Sequence, residues 1–81
     1  MKVQVAGLRC PKCHAMAVHA GIAVHNLGLD VPVEEVEDPR QIASLGVMDT
    51  PALVLDGKVV SSGKLLSSPE IEELLEDVAP V

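Results

Sequence analysis

The stretch Arg9-Cys10-Pro11-Lys12-Cys13-His14 holds the only two cysteines of the 81-residue chain. An extended apolar run, Val3-Gln4-Val5-Ala6, precedes it, and a long helix-forming run follows. Pro11 suits the first position of a helix, where a missing N–H costs nothing. Cys10 and Cys13 stand three residues apart, nearly one turn, so their sulfurs project near one end of the same helix.

Outward from that point the elements alternate. Lys2 to Ala6 reads as a strand buried on at least one face, and Gly7-Leu8-Arg9 as the loop that leaves the sheet. Cys13 to Leu27 reads as helix, capped by Gly28. At one hundred degrees per residue, Lys12, His19 and Asn26 fall on one narrow stripe, expected to be the strip of this helix that meets water. His25 lies near its C-terminal end, where a cation is welcome. Val31 to Glu37 reads as a second strand. Asp38 as N-cap and Pro39 at the first position open a short helix that turns Ile42 and Leu45 inward and ends at Gly46. Ala52-Leu53-Val54-Leu55 is a strongly apolar strand; Asp56-Gly57 is a two-residue hairpin signal, and Lys58-Val59-Val60-Ser61 returns antiparallel. Ser67-Ser68-Pro69-Glu70 reads as a helix start with a capping box. Ile71, Leu74, Leu75 and Val78 follow at i, i+3, i+4 and i+7, opposite a solvated face of Glu72, Glu73, Glu76 and Asp77.

The expected fold is therefore α/β, in the order β-α-β-α-β-β-α, over residues 1–81 as one domain. A right-handed crossover makes the first two strands parallel, the hairpin makes the last two antiparallel, and helices cover both faces of a four-stranded mixed sheet.

Composition narrows the functions. Hydrophobic residues make up 48% of the chain, but there is no Phe, Tyr or Trp, so the core is aliphatic and no platform for stacking bases exists. Twelve acidic and six basic side chains give a formal net charge of −6, which disfavours nucleic acid and anionic membrane surfaces as partners. No apolar run is long enough to span a membrane, and Met1-Lys2 leads straight into the strand pattern without a signal-peptide h-region. A cytoplasmic location is expected, where a CxxC pair serves catalysis or metal binding rather than stapling.

Paired thiols at a helix start support disulfide exchange, metal holding or covalent haem attachment. The helix N-terminus presents unpaired N–H groups and a positive dipole end, both of which favour thiolate, and Lys12 and Arg9 add positive charge nearby. In disulfide exchange, Cys10 would attack and Cys13, one turn deeper, would resolve the mixed disulfide. For metal, the run Val5 to Cys13 is similar to the soft-metal loop of copper chaperones, and two thiolates suit Cu(I); Zn(II) would need further ligands, of which His14 could be one. That family's β-α-β-β-α-β order conflicts with a helix at 38–46 and a helix at the C-terminal end. Cys10-x-x-Cys13-His14 also matches the c-type haem string, with Met16 or Met48 as axial candidates, but attachment would consume both thiols.

Cys10-Pro11-Lys12-Cys13, taken with Gly46-Val47-Met48-Asp49-Thr50-Pro51-Ala52-Leu53-Val54-Leu55-Asp56-Gly57-Lys58, resembles the small thioredoxin-like, glutaredoxin-like redox-active disulfide proteins, over essentially the whole chain. The resemblance implies a minimal thioredoxin fold and a thiol–disulfide oxidoreductase that reduces protein disulfides. It implies a redox-active Cys10–Cys13 disulfide and a cis Thr50-Pro51 bond packed beside it. Thr50 would offer main-chain hydrogen bonds to the substrate, with Met48 lining the groove and Lys12, Arg9 and His14 tuning the thiols. The chain departs from thioredoxins in lacking their leading strand and helix, the Trp before CxxC and an acidic residue in the first strand. Ser61-Ser62-Gly63-Lys64 departs from the glutathione-holding pattern of glutaredoxins, which sets a thioredoxin-reductase-like or other thiol donor beside glutathione as reductant. The resulting expectation is a monomer without cofactor or resident metal, whose partners are a protein disulfide substrate and a reductase.

Overall fold

The computed structural model describes residues 2–8 and 11–78, with the side chain of Val78 left aside; the expectations placed on Arg9, Cys10 and the Val78 side chain lie outside the described residues. The chain runs β1 (Val3–Ala6), α1 (Pro11–Asn26), β2 (Val33–Val36), α2 (Pro39–Ser44), β3 (Ala52–Leu55), β4 (Lys58–Ser62) and α3 (Ser68–Val78). Four strands form one sheet in the spatial order β2-β1-β3-β4. β1 is parallel to β2 and antiparallel to β3, and β3 is antiparallel to β4. The α/β order and the mixed sheet agree with the pattern read from sequence.

Alternation along β1 divides the core between the two faces. Val3 and Val5 stand opposite Leu55 and Leu53 and pack with Met16, Ala20 and Ala23 of α1 and Ile71 and Leu75 of α3. Ala6, opposite Ala52, points to the other face and packs with Val36 and with Ile42 of α2. Two helices therefore cover one face and the short α2 covers part of the other.

Local chemistry explains several boundaries. At the hairpin, Asp56 and Gly57 both take positive φ (51° and 80°), the pair of left-handed residues that a two-residue turn needs to match strand twist. The Asp56 amide donates to the Lys2 carbonyl (2.9 Å) and its Oδ1 accepts from the Lys2 amide (2.7 Å), which ties the turn to the start of β1. Asp38 caps α2 by accepting from the Arg40 amide at 2.9 Å. β2 is shorter than expected: Val31 and Pro32 precede it, and Pro32 has no N–H to give to a ladder.

The water-facing side of α1 matches the expected stripe in part: Lys12 and Asn26 are exposed, and His19 is not. His19 is half-buried and its Nδ1 lies 2.8 Å from the Leu66 carbonyl oxygen, so it ties α1 to the segment before α3. Asn26, further along the same stripe, donates to Glu72 of α3 at 3.3 Å. His14, Val18, Ile22 and His25 are exposed as well, with Val18 and Ile22 at 48% and 43%, so the water-facing side of α1 is wider than one stripe. The cause is composition: α1 is apolar or small nearly all round, so packing partners rather than periodicity set its rotation.

At the start of α3 the Ser67 hydroxyl accepts from the Glu70 amide (3.4 Å), while Glu70 Oε1 accepts from the Ser67 amide (3.2 Å) and hydroxyl (3.0 Å), a complete capping box. The Ser67 amide first, then its hydroxyl, hold the Glu70 carboxyl below the usual glutamate range, with Lys64 at 3.8 Å assisting. Because the folded-state pKa is lowered, the stabilisation is present above the ordinary glutamate value and is lost as pH falls through the folded one. Loss of the cap in Ser67→Ala is expected to cost about 1 kcal/mol, a fall of roughly 4–8 °C in Tm, and to flatten the acid limb of stability below the ordinary glutamate value. Calorimetry from pH 7 down to pH 3 checks both.

Candidate active site

Cys13 is the third residue of α1 and is buried, with 5% exposure. It is in the disulfide-bonded state. What allows so deep a seat is Gly7, the residue just beyond β1. A β-carbon built on Gly7 would lie 2.2 Å from Cys13 Sγ and 2.6 Å from its Cβ, so the Cys13 side chain rests directly on the Gly7 backbone. Gly7 cannot retreat, since its amide extends the parallel ladder by donating to the Val36 carbonyl at 2.9 Å.

The same register brings the proline segment to this point. Ala6 pairs with Ala52, so one step further along the antiparallel pair Gly7 and Pro51 are neighbours. Pro51 is buried, and the Thr50–Pro51 peptide bond is cis. The Pro51 carbonyl accepts from the Gly63 amide at 3.0 Å. Gly63 has φ +73°, and a β-carbon there would come within 2.9 Å of Asp49 Cβ, so the residue after β4 must be small for the segment 49–51 to lie where it does.

Beside these residues an open groove of about 450 Å³ runs between the β1–α1 loop, α2 and the segment before Pro51. Leu8 borders it on one side, Pro39, Ile42 and Ala43 form its α2 wall, and Val47, Met48, Asp49 and Thr50 close the other side. Met48 is 88% exposed. The groove is apolar along most of its length, with Asp49 as its acidic side chain.

Of the residues singled out from sequence, Cys13 and Pro51 lie at the Gly7 step, and Thr50 and Met48 line the groove that adjoins it. Lys12 and His14 are exposed on the first turn of α1, and His14 Nδ1 lies 4.0 Å from Glu35 Oε1 of β2. Gly7, Leu8, Ile42 and Gly63 were not singled out. A lone glycine between a buried strand and the cysteines was the signal for Gly7; the α2 wall gave none, because its apposition depends on tertiary packing. Among the described residues, no three His, Cys, Asp or Glu side chains are grouped to hold a metal ion, and no helix is long and apolar enough to cross a membrane.

Residues 1–76 match the model of the family described as "Thioredoxin domain". The chain belongs to the thioredoxin family. It is 33% identical over 75 residues to a thioredoxin of Methanothermobacter thermautotrophicus, an alignment covering 93% of this chain and 97% of that protein. It is 35% identical over 74 residues to a thioredoxin of Methanocaldococcus jannaschii, covering 91% of this chain and 85% of that one. The four-stranded mixed sheet with three helices is thioredoxin-like, and thioredoxin-family membership carries thiol–disulfide oxidoreductase activity.

Proposed function

We propose that this thioredoxin-family chain, folded as one domain over residues 1–81, reduces disulfides of protein substrates in the cytoplasm through Cys10 and Cys13. The observation that carries the reading is the seat of Cys13: a buried sulfur in the first turn of α1, pressed on Gly7 at the register step facing Pro51. A thiol so covered reaches a substrate disulfide only after another sulfur has opened it, which leaves first attack to Cys10 and resolution to Cys13.

The Cys10 thiolate attacks one substrate sulfur, forming a mixed disulfide and releasing the other substrate sulfur as a thiolate. The Cys13 thiolate then attacks Cys10 Sγ, the second substrate thiolate leaves, and a Cys10–Cys13 disulfide remains with the substrate reduced by two electrons. A reductase or small thiol donor returns those electrons. The α1 N-terminus, Lys12 and Arg9 favour the thiolates, with His14 beside them. Thr50 and Pro51 present backbone to the substrate chain, and Met48 and the α2 wall receive its apolar side chains.

The test titrates the thiols in a dithiothreitol gradient and, separately, with Cu(I) and Zn(II). Both thiols are expected to disappear together into an intramolecular disulfide, and the reduced protein to turn over a model protein disulfide repeatedly. Absence of that disulfide, with tight stoichiometric metal uptake, would replace this reading by soft-metal carriage on the same cysteines.

A further inference from the structure

We propose that Met48 is a peroxide-oxidation site whose sulfoxide weakens substrate docking, a control that rests on the groove acting as proposed above. The chain places its two internal methionines in opposite environments. Met16 has no exposed surface, and its sulfur accepts the Leu66 amide at 3.4 Å. Met48 is 88% exposed on the lip of the apolar groove. Oxidant from solvent therefore meets one thioether and not the other.

The reaction balances without a cofactor. The Met48 sulfur attacks one oxygen of hydrogen peroxide, the O–O bond breaks, the sulfur gives up two electrons and gains that oxygen, and water leaves. Cys13 in its disulfide state offers no competing thiol, so among the described residues Met48 is the reactive sulfur once the cysteines are oxidised. Its sulfoxide is polar and hydrated, and a substrate side chain entering between Met48, Leu8 and Ile42 loses an apolar neighbour. The change is reversible, because two thiols reduce a methionine sulfoxide to thioether, disulfide and water in the presence of a methionine sulfoxide reductase.

The experiment treats the disulfide form with hydrogen peroxide, maps oxygen incorporation by peptide mass spectrometry, reduces the cysteines with dithiothreitol and assays turnover. Met48 is expected to gain oxygen about tenfold or more faster than Met16. KM for a model protein disulfide is expected to rise about three- to tenfold, with turnover of a small aromatic disulfide nearly unchanged, since the small reagent has no chain to lay in the groove. Treatment with a methionine sulfoxide reductase restores KM, and the KM of a Met48→Leu variant is the same before and after peroxide. Equal oxidation of Met16 and Met48, or an unchanged KM in the sulfoxide form, overturns the proposal. Lack of turnover in the untreated protein instead overturns the redox reading, while the peptide map still reports on Met48.

Discussion

Cys10→Ser is expected to abolish turnover of a disulfide substrate, and Cys13→Ser to leave the first attack intact while blocking the second. The asymmetry follows from burial. Cys13 is 5% exposed and rests on the Gly7 backbone, so a chain left with Cys13 alone presents no sulfur to an incoming disulfide. Its rate is expected to fall on the order of 10³-fold or more, the scale seen when a nucleophile is removed. In the Cys13→Ser variant the mixed disulfide has no neighbouring thiolate to resolve it, so substrate accumulates covalently on Cys10 at one per chain. Mass spectrometry without reductant, after incubation with a model protein disulfide, reads both outcomes. Comparable adducts on the two variants would reverse the assigned roles.

The parts of the fold that declared themselves in sequence are those where one residue type is forced by local geometry. Asp56-Gly57 announced its turn because both residues must take positive φ, and Asp38-Pro39 announced α2 because an acceptor and a pre-set φ belong at a helix start. α3 was legible from its apolar spacing set against glutamates. α1 was legible in extent but only partly in rotation, since Lys12 and Asn26 face water as expected and His19 does not. With small and apolar residues on nearly every side, the stripe carries little instruction about solvent, and at His19 the Leu66 carbonyl, 2.8 Å from Nδ1, takes the place of water. The candidate site divides in the same way. Cysteines and a Thr-Pro are conspicuous residue types, whereas the groove's α2 wall is made of Pro39, Ile42 and Ala43, which look like any short helix until Leu8 and Met48 are brought opposite.

Gly7 is the case where sequence marks a position without revealing its use, and Gly7→Ala is expected to damage stability and catalysis together. The added methyl would stand 2.2 Å from Cys13 Sγ and 2.6 Å from Cys13 Cβ, closer than real side-chain contacts come. Rotation of the sulfur alone does not relieve it, since the Cβ contact moves only with the α1 backbone and the sulfur is held in a disulfide in the oxidised form. Nor can the strand yield freely: the Gly7 amide is bonded to Val36 at 2.9 Å and Ala6 is paired with both Val36 and Ala52. The first turn of α1 must lift away instead, at about 1–3 kcal/mol for overpacking, a fall of roughly 4–24 °C in Tm. Lifting Cys13 by about an ångström misaligns it with the mixed disulfide, and displacements of that size slow a positioned reaction by up to about 10²-fold. The loss should fall on resolution rather than on first attack, so single-turnover kinetics would show the covalent intermediate forming at near-normal rate and persisting. Ser67→Ala supplies the control, because it removes comparable stability at α3 and leaves both steps untouched. Should Gly7→Ala match the wild type in melting and in both rate constants, Cys13 does not rest on this strand end, and its role as the shielded second thiol is lost with the contact.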